Sequence, residues 1–178
     1  MALKKALTKI QVAESELKCA IRLFFLEYDA IPIEILVGAA SGVLRGLALR
    51  YGVQAFIHDT DWVKPEYKSE WVATLHKAQN FFKHADRDPD RTLEYESKVL
   101  HFLLAETCYL YRHLASEKYL KHRQRIEAIA YELWFALAYP HLLKDPEAFK
   151  EFLQLLNFSN VDSNDFEAFR LALNIKGI

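Results

Sequence analysis

Ile126-Glu-Ala-Ile-Ala-Tyr-Glu-Leu-Trp-Phe-Ala-Leu137 is the stretch that decides the fold. Ile126, Ile129, Ala130, Leu133, Trp134 and Leu137 recur at i, i+3, i+4, i+7, i+8 and i+11. At about 100° per residue that spacing gathers them on one side of an α-helix. A half-buried strand would alternate with period two, which this stretch does not. Pro140 ends or bends the helix.

Working outward, the same pattern recurs on both sides. Toward the C-terminus, Asp145-Pro146 reads as an N-cap followed by proline at the first helical position, opening a short helix to about Leu156. Asn164 or Asp165 opens a last one through Leu173. Toward the N-terminus, a helix is expected over roughly Glu94 to Ala115. Another is expected from about Glu66 to His84, with Trp71, Leu75, Ala78 and Phe82 within about 60° of one another. A third should run from Pro32 to about Tyr51, stopped near Gly52. The first should run from about Ser15 to Tyr28, with Leu17, Ile21, Phe24, Phe25 and Tyr28 along its apolar stripe. No segment alternates convincingly, and no Asn-Gly or Asp-Gly hairpin turn occurs. The expectation is an all-α fold: a single helical domain over 1–178, a bundle of about five long and two short helices. Trp71, Phe82, Leu104, Leu133, Trp134 and Leu137 are expected in its core.

Composition agrees. Of 178 residues, 52% are hydrophobic and 13% aromatic, enough for a bulky core without metal or disulfide staples. The two cysteines, Cys19 and Cys108, sit among apolar neighbours and are expected as reduced, buried thiols. Basic and acidic residues nearly balance, 23 against 24. Global attraction to nucleic acid or an anionic membrane is therefore not expected. The start, Met1-Ala-Leu-Lys-Lys-Ala-Leu-Thr, lacks a signal peptide's apolar stretch and cleavage site. Residues 30–49 are largely apolar, but Glu34 and Arg45 interrupt them, so no membrane span is expected. A cytoplasmic protein is the expectation.

Four features could carry chemistry. Asn80-Phe-Phe-Lys-His-Ala-Asp-Arg-Asp-Pro-Asp90 closes one helix and opens a charged loop. Lys77, Asn80 and His84 share a polar stripe opposite Trp71 and Phe82. Asp86, Asp88 and Asp90 follow at alternate positions, a pattern that can converge on a hard divalent cation. It is not a calcium-binding EF-hand loop: counted from Asp86, the sixth position is Arg91 rather than Gly and the twelfth is Ser97 rather than Glu. Its structural reading is a helix C-terminus with Lys83 and His84 set against the dipole.

The second feature, His58-Asp59-Thr60-Asp61, lies in the longest loop, Gly52 to Pro65, where function often resides. The plain reading is a doublet capped by its own carboxylates. The third is a basic run in which Arg112, Lys118, Lys121, Arg123 and Arg125 face one Glu117. It could touch phosphates or simply face solvent or the acidic stretch 145–169. The fourth is a ridge of Gly38, Gly42 and Gly46 flanked by Ala39, Ala40 and Ser41. Each glycine costs a helix about 1 kcal/mol relative to alanine, so three at this spacing suggest close approach of another backbone, in this chain or in a second copy. No P-loop, dinucleotide fingerprint, nucleophile elbow or zinc-binding spacing is present.

The Asn80–Asp90 run, together with Ala20-Ile-Arg-Leu-Phe-Phe25, resembles a family of bacterial helical proteins of similar length with no assigned activity. Asn80-x-x-x-His84 also resembles part of the HEPN-domain motif, which implies a helical bundle that binds nucleotides or cuts RNA. Gln79 stands where that motif has Arg. The His58-Asp59 doublet resembles that of HD-domain phosphohydrolases, but that family has a metal-ligating histidine earlier in the chain, and His58 is the first here. The reading that follows is a binding or interaction protein, homodimeric through Gly38, Gly42 and Gly46. The alternative is a metal-assisted enzyme or HEPN-like nucleotide- or RNA-binding protein acting on phosphate-containing substrates. It would use His84, Lys77 and Asn80 as catalytic candidates, with Asp86, Asp88 and Asp90 holding a divalent metal.

Overall fold

A computed structural model describes residues 6–60, 63–84, 86, 89–116, 126–155 and 160–175. Among them are seven α-helices and two 3-10 turns, and no strand. The all-α expectation holds. The helices are α1 (Lys9–Phe25), α2 (Ala30–Tyr51), α3 (Lys68–Lys83), α4 (Lys98–Leu114), α5 (Ile126–Ala138), α6 (Pro146–Leu155) and α7 (Phe166–Ala172).

Local chemistry sets their ends. The first helix begins several residues before the expected Ser15, because Thr8 and Gln11 form a capping box: each side chain accepts the other's backbone N–H. It ends at Phe25 rather than Tyr28. Glu27 turns left-handed (φ 55°), Glu27 N–H bonds Phe24 O, and Tyr28 N–H bonds Leu23 O at 3.0 Å. That closure leaves Tyr28 exposed rather than on the core stripe. Asp29 caps α2 at Ile31 N, and Gly52 (φ 65°) ends it. Asp145 and Asp165 cap α6 and α7 by accepting from Ala148 N and Ala168 N; the first is as expected, and the second decides between Asn164 and Asp165.

The second helix is central. It packs on α1, α3 and α4, while α4 packs on α5 and α1 contacts α5 and α7. By length and composition α2 could cross a membrane; here its Ile33, Val37, Ala40, Leu44 and Ala48 face the bundle core. One continuous core runs from Ile10 to Leu173. Phe24 lies at an aromatic centre, edge-on to Trp134 at 4.5 Å and to Tyr131 at 5.0 Å, and Phe25 stacks on Phe169 at 4.9 Å.

Several expectations about burial are corrected. On α5 the buried face is Glu127, Ala128, Tyr131 and Trp134, whereas Ile126 is 68% and Ile129 49% exposed. The helix is apolar on nearly every side, so periodicity could not choose its inner face. The aromatic polar tips did: Tyr131 Oη donates to His101 O and Trp134 Nε1 to Ser163 O. Leu104 and Trp134 are core residues as expected, but Trp71, Phe82, Leu133 and Leu137 are only half-buried. Cys108 is a buried thiol, as expected; Cys19 is a thiol too but lies exposed on the outer side of α1.

The glycine ridge is divided. A Cβ on Gly38 would sit 2.6 Å from the Gln79 side chain of α3, so this glycine serves close packing within the chain. Among the described residues, none outside α2's own backbone comes within 4 Å of where a Cβ on Gly42 or Gly46 would sit.

Candidate functional site: a buried glutamate–histidine anchor and its clefts

The loop between α2 and α3 is pinned from below by one residue of α4. Glu106 is buried, and its Oε1 accepts Ile57 N at 2.6 Å and His58 N at 3.0 Å. Its Oε2 accepts a hydrogen bond from His58 Nδ1–H. A carboxylate satisfied by three donors makes a rigid anchor, since charge-assisted bonds are the strong ones. Trp71 Nε1 adds a bond to Ile57 O at 2.9 Å. Asp59 turns back to accept Ala55 N at 2.9 Å, which is the self-capping expected of the doublet.

His58 is held by Nδ1, and its Nε2 is buried without a hydrogen-bond partner among the described residues. The His76 ring lies 5.1 Å away, tilted by 40°. Arg45 Nη1 is 3.2 Å from His76 Nε2. A guanidinium only donates, so this histidine accepts there and is neutral. Burial, then the neighbouring His58 and Arg45, push its pKa below the usual 6.5, against a hydrogen bond with Gln79. The chain from Gly38 through Gln79, His76 and Arg45 thus ties α2 to α3 beside the anchor.

Three clefts flank this arrangement. One of about 530 Å³ runs beneath the loop between α3, α4 and α5; Ile57, Trp71, Val99, Phe102, Phe135 and Leu142 supply most of its apolar wall. A second, of about 350 Å³, lies between α2, α3 and the segment before α4, and includes Glu34, Lys77, Glu94, Tyr95 and Glu96. These two share Thr74, Leu75, Glu96 and Val99. A third, about 640 Å³, opens on the other side of the loop, between Arg45, Gly46 and Asp59.

Glu34 is the notable group of the second cleft. It is 1% exposed, and Tyr95 Oη donates to its Oε2 at 3.1 Å. Burial raises its carboxyl above the ordinary 4.5, partly offset by that bond.

The residues singled out from sequence are placed as follows. Lys77 is exposed and lines the second cleft, Asn80 is exposed on α3, and His84 caps the C-terminus of α3. Asp86 and Asp90 are exposed; Asp88 lies outside the described residues. Of the described residues proposed for catalysis or metal binding (Lys77, Asn80, His84, Asp86 and Asp90), Lys77 alone lines one of these three clefts. No group of three His, Cys, Asp or Glu suited to a metal ion occurs among the described residues. Arg112, at the start of the basic run, pairs with Glu132 of α5 at 2.6 Å; residues 117–125 lie outside the described residues, as does Asp61. Sequence reasoning singled out His58 but missed Glu106 and Glu34. The signal for both was a lone carboxylate inside an otherwise apolar helical stretch.

No protein-family model matches this chain, and no curated protein or solved structure matches it either.

Proposed function

We propose that this chain is a binding protein whose ligand is a small, largely apolar molecule held in the cleft beneath the 53–64 loop. The observation that carries this reading is the cleft of about 530 Å³ walled by Trp71, Val99, Phe102, Phe135 and Leu142. Ligand sites commonly span about 300–1,000 Å³ and are mostly apolar with a few polar groups; here Thr60, Thr74, Glu96 and Lys98 are those groups. The roof is held in place by Glu106, and a preformed site spares the ligand the entropy of ordering a loop.

Calorimetric titration with 1-octanol and toluene tests this. Saturable binding with a rise in melting temperature is expected, because a ligand at 100 times its Kd adds about 2.7 kcal/mol. Thr74→Trp, at an exposed position on the cleft wall, should abolish binding while leaving the circular dichroism unchanged. Wild-type protein that binds neither compound would overturn the reading.

Self-association is the companion proposal, narrowed by the packing of Gly38 to the open surface at Gly42 and Gly46. Light scattering should give twice the chain mass for wild type and the single mass for Gly42→Leu. A monomeric wild type ends that idea.

A further inference from the structure

The two clefts that share a wall differ sharply in character. The larger is apolar. The smaller places Glu34, Glu94 and Glu96 around its lining against one cation, Lys77, which is exposed. Glu94 and Glu96 are also exposed and well hydrated; Glu34 is not. Its carboxylate has a single hydrogen bond, from Tyr95, and no ion pair among the described residues. A buried carboxylate with no cation is costly unless something else compensates it. The side chain is therefore set up to gain from a positive group arriving through the cleft, and the Tyr95 ring beside it can also face a cation.

We propose that the smaller cleft is a subsite for a protonated amine, and that the natural ligand is an amphiphilic amine. Its ammonium pairs with Glu34, and its apolar body crosses the wall shared by Thr74, Leu75, Glu96 and Val99 into the larger cleft. This inference rests on the larger cleft's being a ligand site. It adds the charge of the ligand and the residue that selects it. The ammonium can donate to the Glu34 carboxylate while Tyr95 keeps its own bond to Oε2. Glu94 and Glu96 extend the negative field to the mouth, favouring entry of a cation and opposing a carboxylate.

The experiment compares octylamine, 1-octanol and octanoate by calorimetric titration at neutral pH, on wild type and on Glu34→Gln. The three probes share one apolar chain and differ in the charge of the head. Wild type should bind octylamine at least about tenfold more tightly than 1-octanol, the advantage expected of a charge-assisted contact, and octanoate most weakly. Glu34→Gln keeps the shape of the side chain and an oxygen for Tyr95; it should remove the preference for octylamine over 1-octanol. Equal binding of amine and alcohol by wild type would overturn the amine subsite while leaving the apolar cleft standing. Absence of binding by all three would remove both readings. An undiminished amine preference in Glu34→Gln would also overturn the assignment. The wild-type comparison decides the charge preference whether or not the variant folds.

Discussion

At the scale of single residues, Glu106 does more than any other to position the loop. It takes Ile57 N, His58 N and His58 Nδ1 at once, so truncation strands three donors in the interior. A buried donor left unsatisfied costs roughly 1–3 kcal/mol, so three together come to several kcal/mol. Glu106→Ala should therefore lose about that much in urea denaturation, and hydrogen exchange at the Ile57 and His58 amides should accelerate. Glu106→Gln should be milder. Its amide oxygen can still accept both backbone N–H groups, but its NH₂ must face His58 Nδ1, which drives the ring to the tautomer protonated at Nε2. Nitrogen-15 NMR of the imidazole would show that change, and unchanged exchange in Glu106→Ala would refute the anchor. The His58-Asp59 doublet is visible in the sequence. Its partner is not, because Glu106 lies 48 residues away and reads locally as an ordinary charged residue of a helix.

At the scale of elements, α5 shows how an apolar helix chooses its inner face. Ile129 and Ile126 are as hydrophobic as anything on the helix, yet Tyr131 and Trp134 are the ones buried. Both pair a large ring with a polar tip that finds a backbone carbonyl, so they gain burial without an unsatisfied group. Trp134→Ala should cost about 3–5 kcal/mol. Ile129→Gln, on the exposed face, should change stability by no more than about 0.5 kcal/mol. Thermal or chemical unfolding of the two variants checks the assignment, and a loss in Ile129→Gln as large as that in Trp134→Ala would refute it. The join between α2 and α3 follows a similar rule: Gly38 leaves room for the Gln79 amide, and Arg45 reaches across to His76.

At the scale of the whole molecule, pH acts through the buried carboxyl of Glu34. In the unfolded chain it ionises near 4.5, and in the fold burial holds it protonated to higher pH. The folded state then binds more protons across that window, so this group's contribution to stability falls as pH rises from 4.5 toward the folded value. Glu34→Gln removes the effect. The variant should match wild type near pH ~4 and become the more stable of the two by pH ~7, as read from urea midpoints. A constant difference at both pH values would show that desolvation of Glu34 is not the cause.

The sequence by itself determined the helical class, the cap at Asp145, the narrowing of the last cap to Asn164 or Asp165, and the stop at Gly52. These depend on residues within a turn or two of one another, where backbone hydrogen bonding and side-chain caps act locally. Only the tertiary structure decided which face of α5 is buried, that Gly38 receives the Gln79 side chain, that Glu106 holds the loop and that Glu34 lines a cleft. Each of those outcomes depends on groups far apart in the chain competing for the same interior space, and apolar area, which is not directional, cannot choose among them. Hydrogen-bonding groups can, because leaving one unsatisfied in the core costs more than leaving an isoleucine in water.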